Sequence, residues 1–595
     1  MPHDHAGSGV FSARVTRGLW HYGLLAFCIS LFVLFLLYPI FLTVKGAFVV
    51  DPKDPNSPLT LQNLSLVFQD PSLRAGLFNS FKIAACTTTL ATLIALPLAM
   101  LSASYRFPGK SFFNAIVLVP LILPPFVGAM GVRAMMGRQG AVNALLGTEM
   151  DLFAGSLDLF GLSIPTRFIG IVMLQSLSLY PIIFLNATAA LANLDPALDE
   201  AAENLGAGFW KRFFKITLPL IRPGLFAGAT IVFIWSFTEL GTPLMFDMKQ
   251  VTPVQIFEGL KEVESSPRPY ALVVVMLTCA VSLYLVGRVL FGRKGYSMQT
   301  RASRASSEKV LTGGKGLIAA GAFALVAIMA IGPHVGVVLT SITVPGQWYG
   351  TVLPTHTTLD HYEQALTAGD SFGAIVTSLK FALIAMVVDI GLGIVVAYLI
   401  VRTNVKGRGV LDALCMLPLA VPGLVLAFGY AAMSLQWPFA KGGPLDMFGI
   451  FTANPNPALF LVIAYSIRRL PYMVRSTVAG LEQTSGELEE AAVNLGASRI
   501  TAMRRVIVPL IAANLIAGGL LVFSFSMLEV SDSLILAQQP NDFPITKSIL
   551  MFTERLGDGI YIASALGVWG MALLTVTLFG ASALLGKKLG SIFRV

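Results

Sequence analysis

The stretch EAAENLGAGFWKRFFKITLPLIRP occupies residues 200–223, and EAAVNLGASRITAMRRVIVPLI occupies residues 490–511. Each is a polar, charged interruption between long apolar segments, and the two start 290 residues apart. The first is introduced by Asp195-Pro196, an N-cap followed by proline at the first helical position. A short helix through ALDEAAENL is expected to stop at Gly206. A second helix, FWKRFFKITL, is expected to end at Pro219, with Phe209, Phe213 and Ile216 at helical spacing and Lys211, Arg212 and Lys215 between them. In the second copy Thr484 and Glu487 are spaced as a capping box, Gly496 is the stop and Ser498 the next cap. Both copies read as helix, glycine turn, amphipathic helix. A helix resting on lipid headgroups accounts for the basic and aromatic residues. It does not account for EAA at both starts, a glycine six residues after the glutamate and a proline thirteen beyond that. A helix that inserts into a cleft of a rigid partner needs such spacing, because a small Ala pair and a tight turn set its approach and angle.

The surrounding composition places these interruptions in a membrane protein. Of 595 residues 55% are hydrophobic and 12% charged, with mean hydropathy +0.75; a soluble domain carries about 25% charged residues. Lipid offers no partner to exposed backbone groups, so a chain of this kind is a helical bundle or a closed barrel. Its apolar runs are continuous and near twenty residues long, which selects helices. Twelve spans are read, beginning near Leu24, Ser80, Phe112, Phe168, Gly224, Tyr270, Leu317, Ile375, Val410, Ala458, Leu515 and Ile560. The run from Leu24 is too long for a signal-peptide core and is read as an uncleaved first span. His3, Asp4 and His5 belong to a tail rather than to a metal site, and no other metal-ligand set and no catalytic residue is read. The four cysteines, Cys28, Cys86, Cys279 and Cys415, fall in apolar runs, so buried free thiols are expected.

The net charge of +9 gathers in short loops rather than on a nucleic-acid-binding face. Arg106/Lys110, Lys211 to Arg222, Arg293 to Lys315, Arg402 to Arg408, Arg499 to Arg505 and Lys587/Lys588/Arg594 all fall on one side, whereas Gln347 to Phe372 holds no Lys or Arg. The positive-inside rule then puts both termini and both interruptions in the cytoplasm. The halves align along their length. Pro120 and Pro124 match Pro418 and Pro422 at offset 298; Pro181, Pro219 and Glu239 match Pro471, Pro509 and Glu529 at offset 290. The expected organisation is a cytoplasmic tail over 1–19, a first half over 20–291 with its loop at 195–222, a linker over 292–315, and a second half over 316–595 with its loop at 484–512. An even number of spans plus a cytoplasmic linker gives a parallel repeat.

The pattern EAA, three residues, Gly, nine residues, Ile-x-Leu-Pro resembles the cytoplasmic loop of the permease subunits of binding-protein-dependent ABC importers. Glu200, Ala201, Ala202, Gly206, Ile216, Leu218 and Pro219 match it fully; Glu490, Ala491, Ala492, Gly496, Val506, Val508 and Pro509 depart only in two conservative valines. The resemblance covers nearly the whole chain. It implies an all-α membrane protein of twelve transmembrane helices in two fused six-helix halves, with the type I importer (MetI-like) permease fold. It implies two ATP-binding subunits on the cytoplasmic side, one per loop, a periplasmic substrate-binding protein that carries much of the selectivity, and a place in the bacterial inner membrane. ATP belongs to the partner and no cofactor to this chain: the nearest approach to a phosphate-binding loop, SYRFPGKS from Ser104, lacks the first glycine. A major-facilitator-type secondary transporter shares the span count but needs no large cytoplasmic loop before the fifth span of each half.

Charges inside the spans point at a path. Glu239 in the fifth span, and Glu529 and Asp532 in the eleventh, each cost about 2.5–3.5 kcal/mol at mid-bilayer on insertion scales, so they are expected to face a cavity or a partner unless they lie near the interface. Arg468 and Arg469 precede Pro471, where the first half has neutral Ser178 and Leu179. One arginine of the pair is available to Glu529 as a salt-bridge partner. The proline pairs of the third and ninth spans either bend helices beside a cavity or act as static kinks. The stretch RRLPYMVR and the fusion of two halves look most like the ferric iron permeases, with phosphonate, sugar-phosphate, thiamine and polyamine permeases similar.

Overall fold

The computed structural model describes residues 7–54, 56–122, 124–159, 161–291, 309–452 and 455–585. His3, Asp4 and His5, most of the 292–315 linker, and Lys587, Lys588 and Arg594 lie outside the described residues. All twelve expected segments are helical. Among the described residues eight helices are long and apolar enough to cross a membrane, and up to ten if each of two bent pairs is one span. The eight are Trp20–Phe48, Pro71–Ser104, Thr166–Ala192, Phe209–Phe237, Arg268–Gly287, Gly314–Ser341, Gly369–Arg402 and Gly559–Gly580. The tenth expected segment forms the helix Ala458–Gln483. Its length suffices, but Arg468, Arg469 and Arg475 make it less apolar than its neighbours.

The second proline of each pair stands at a helix break, while Pro120 and Pro418 lie within helices. Pro124 and Pro422 both take extended backbone, ψ 127° and 136°, and each stands immediately before a new helix, Pro125–Met136 and Gly423–Ser434. Proline has no N–H to continue a ladder and excludes helical backbone from the residue before it. The ninth segment bends by 104° at its break, and the third is cut into Lys110–Ile116, Val119–Ile122 and Pro125–Met136. Pro219 behaves otherwise. The helix expected to end there runs on as Phe209–Phe237, because a single π-turn at Phe213–Thr217 precedes the proline and absorbs the misfit. The second copy has its π-turn at the matching place, Met503–Ile507, and bends by 76° only after Leu510.

The chain forms two compact units, neither of which is one half of the sequence. One takes the described residues of Met1–Gly46, Gly369–Ser548 and Ala572–Ile592; the other takes Ala47–Ala368 and Ile549–Met571. Each has the same internal plan. In one, Pro71–Ser104, Thr166–Ala192 and the helix ending at Phe237 pack together; in the other, Gly369–Arg402, Ala458–Gln483 and Ala512–Met527 do. In each unit the first helix of the opposite half of the sequence lies on a broken-span helix. A Cβ at Gly131 would stand 1.7 Å from the Pro333 carbonyl oxygen, and one at Gly429 would stand 2.8 Å from that of Pro39. Only glycine permits so close a backbone approach. Tyr430 anchors the second of these contacts by donating to the Phe35 carbonyl at 2.7 Å.

The outer faces of the helices are apolar, as lipid contact requires. All four thiols are free, and Cys28 and Cys415 are buried as expected, but Cys86 is exposed and Cys279 half-buried. An apolar run in a lipid-facing helix does not imply a buried side chain, because lipid replaces protein as the apolar surroundings.

Candidate functional site

The two loops share their glycine turn to the level of single hydrogen bonds. Asp195 caps Pro196–Asn204, its carboxylate accepting from Ala197 N at 3.0 Å. The helix closes on a Schellman turn: Ala207 N donates to Ala202 O at 3.0 Å and Gly206 N to Glu203 O at 2.9 Å. Ala497 N to Ala492 O and Gly496 N to Val493 O repeat it, both at 3.0 Å. Gly206 and Gly496 take φ +78° and +92°, the left-handed region that a side chain resists. Ser498 caps the following helix by accepting from Thr501 N at 3.2 Å. The expected capping box at Thr484 does not form. Thr484 instead ends the preceding helix, donating back to Gly480 O at 2.7 Å, and Gly486 precedes the helix Glu487–Asn494.

Glu200 and Ala201 are exposed and Ala202 is half-buried, as are Glu490, Ala491 and Ala492 in turn. The residue before each glycine, Leu205 or Leu495, is 88% or 91% exposed. Trp210 and Phe214 in the first copy and Ile500 in the second extend this exposed apolar surface. In the first loop Arg212 pairs with Glu203 at 2.6 Å and Asp199 at 3.3 Å, locking the two short helices to each other. In the second, Glu489 is buried and accepts from Tyr398 OH at 3.0 Å. Each loop is thus a rigid two-helix knob with a leucine at its tip, and burying such a leucine in a partner contributes about 1.5–3 kcal/mol.

The second constellation is a buried charge cluster in one unit. It joins the two arginines of Ala458–Gln483 to the two acids beyond Met527. Arg468 pairs with Glu529, and with Asp532 at 2.9 Å. Arg469 pairs with Glu529 as well, donates to the Phe525 carbonyl at 3.3 Å and lies over the Phe525 ring. Both arginines, not one, therefore serve Glu529. The chain turns there: Ser533 Oγ and Thr546 Oγ1 both donate to the Glu529 carbonyl, at 2.6 and 2.7 Å, and Tyr465 OH bonds Ser533 at 2.7 Å. Glu239 lies in the other unit. Its carboxylate accepts from Thr242 N and Oγ1 at 3.0 and 3.2 Å, capping the turn Gly241–Met245. Thr242 stands where the second half has Asp532, at the same offset of 290.

Asp389 was missed at the level of sequence. It is the one carboxylate beyond the first turn of the apolar helix Gly369–Arg402 and is fully buried. The signal was present, since an ionisable residue inside a span marks a functional candidate. Its counterpart at offset 298 is Ala91. Among the described residues no three His, Cys, Asp or Glu side chains form a group that could hold a metal ion.

The sequence matches the family described as binding-protein-dependent transport system inner membrane component twice, over residues 95–294 and 389–589. The chain belongs to that family, the permease subunits of ABC importers, and carries two copies of its domain fused in one polypeptide. Among its relatives, the ferric transport system permease protein FbpB of Actinobacillus pleuropneumoniae is 26% identical over 523 residues, 85% of this chain and 70% of that one. The Fe(3+)-transport system permease protein FbpB 2 of Haemophilus influenzae is 25% identical over 533 residues, 89% and 92%. The molybdenum transport system permease protein ModB of Escherichia coli is 32% identical over 185 residues, 30% of this chain and 74% of that one.

Proposed function

We propose that this permease passes ferric iron, delivered by a periplasmic binding protein, in an import complex driven by two ATP-binding subunits. The observation that carries the cargo is extent. Likeness to permeases named for ferric iron runs over 85% and 89% of the chain, whereas likeness to the molybdenum permease covers 30%. The coupling surfaces are Glu200, Ala201, Ala202 and Gly206, with Glu490, Ala491, Ala492 and Gly496; the exposed Leu205 and Leu495 support that reading, since an apolar tip on a rigid knob is suited to a partner's cleft. Both termini are cytoplasmic, on the side of these loops. Arg468, Arg469, Glu529 and Asp532 line the path in the second half, and Glu239 in the first. ATP binds the partner subunits and no cofactor is needed on this chain.

The test reconstitutes the permease with its ATPase subunits and binding protein in liposomes and measures substrate-stimulated ATP hydrolysis. Ferric-loaded binding protein is expected to stimulate it. Stimulation by molybdate or a phosphorylated organic solute, with none by the ferric-loaded protein, overturns the iron assignment.

A further inference from the structure

Asp389 has no role in anything described so far, yet it sits beside the charge cluster. Gly369–Arg402 and Ala458–Gln483 run side by side in the same direction and in constant register. A Cβ at Gly393 would meet Met473, a difference of 473 − 393 = 80. Arg402 Nη2 donates to the Leu481 and Thr484 carbonyls at 3.0 and 2.7 Å, differences of 79 and 82. One helical turn back along both helices, Asp389 comes level with Arg469, again 80 apart. Ser466 and Arg469 are the polar side chains that act on the Asp389 carboxylate.

At that level hydrogen bonding is left incomplete. Both carboxylate oxygens of Asp389, the Ser466 hydroxyl and the Arg469 Nε are buried, and among the described residues none makes a hydrogen bond of full geometry, the Ser466 hydroxyl being the group that interacts with the Asp389 carboxyl. Meanwhile the far end of the same guanidinium is held by Glu529 and the Phe525 carbonyl. Arg469 thus stands between two carboxylates and pairs with one of them. A buried carboxyl and a buried N–H donor left without well-formed hydrogen bonds both cost free energy. Such a pattern is what remains when a second arrangement of the same groups has to be available.

We propose that Asp389 is the alternate counter-ion of Arg469 during transport. A cationic cargo that takes the Glu529 carboxylate releases Arg469, which turns its Nε edge to Asp389 and Ser466. The exchange keeps each arginine paired. The cluster holds three acids, Asp389, Glu529 and Asp532, against two arginines, so the carboxylate that is surplus without cargo becomes the arginine's partner with it. No arginine is then left unpaired beside a cation. The first half keeps Glu239 and Ser176 at the positions of Glu529 and Ser466 but lacks the aspartate and both arginines: Ala91, Ser178 and Leu179 occupy the positions of Asp389, Arg468 and Arg469. This inference rests on the reading of the cluster as a translocation path for a cation.

A thermal-stability cycle on the full complex tests the exchange without cargo. E529Q alone costs little more than its lost contacts, because Arg469 falls back on Asp389; D389N alone changes the melting temperature little or raises it. E529Q/D389N strands Arg469, and its drop in melting temperature exceeds the sum of the single changes. An additive cycle overturns the proposal. Uptake in proteoliposomes with ferric-loaded binding protein provides the second measurement: D389N and D389A, the latter matching Ala91, both slow uptake severalfold. D389A uptake equal to wild type overturns it too, even if the double variant does not assemble. Absence of ferric uptake by the wild-type complex refutes the iron reading instead, and leaves the stability cycle to decide on Asp389.

Discussion

At Arg468 one guanidinium serves two acids. Glu529 has Arg469 as well, but Asp532 is completely buried and relies on Arg468 for its cation. Removing one member of a buried, hydrogen-bonded charge set leaves the other uncompensated, which costs about 3–5 kcal/mol. Arg468→Gln is therefore expected to lower the stability of the purified protein by that order, and Asp532→Asn in the same chain to restore part of it. Thermal unfolding of the three proteins in detergent checks this; a loss in the double variant as large as in Arg468→Gln alone contradicts the pairing. The arginine pair is specific to the second half: Ser178 and Leu179 stand at its positions in the first, where the Glu239 carboxylate caps a turn.

At the scale of elements, the knob of each loop depends on one backbone conformation. Nothing lies within 4 Å of a Cβ built on Gly496, so space does not forbid a side chain there, but φ of +92° does. A β-branched residue is worst suited to that region, at about 1–2 kcal/mol for leaving the right-handed form and more for a branched side chain. Gly496→Val is expected to insert and assemble yet to uncouple ATP hydrolysis from uptake, because the angle between Glu487–Asn494 and the helix after Ser498 changes. Normal uptake with the ATPase subunits bound contradicts it. Cysteines at Ala207 and Ala497 are expected to react with membrane-impermeant reagents only from the cytoplasm and to cross-link to the ATPase subunits; labelling from the periplasm at either position refutes the orientation.

At the scale of the molecule, each compact unit is completed by a helix from the far end of the sequence. Pro39 lies on Gly429 in one unit, and Pro333 on Gly131 in the other. A chain cut within the 292–315 linker and expressed as two pieces is therefore expected to yield stable protein only when both pieces are made together. Each piece alone lacks a helix that buries its unit's glycine face, Pro125–Met136 or Gly423–Ser434. Co-purification of two differently tagged pieces, set against the yield of each alone, is the measurement. A first piece that accumulates by itself as a folded protein shows that the exchanged helix is dispensable.

Much of this was written locally in the sequence. Apolar runs near twenty residues fixed the class and the twelve helical segments, and the doubled EAA-Gly-Pro pattern identified the loops, their caps at Asp195 and Ser498 and their glycine turns. Such signals are satisfied within a turn or two of chain, so residues a few positions apart carry them. The features that escaped depend on register between distant segments. The proline pairs could be read as bends beside a cavity or as static kinks, and the structure instead shows Pro124 and Pro422 in extended backbone where a new helix starts. Thr484 had the spacing of a cap, but its hydroxyl found the end of the previous helix first. Asp389 comes level with Arg469 only because two helices run parallel at a fixed offset of about eighty residues, and both arginines reach Glu529 only because a third helix, Ala512–Met527, packs beside theirs. No local pattern encodes that offset. It is set by the close approach of Gly393 to Met473, and tertiary packing alone decided it.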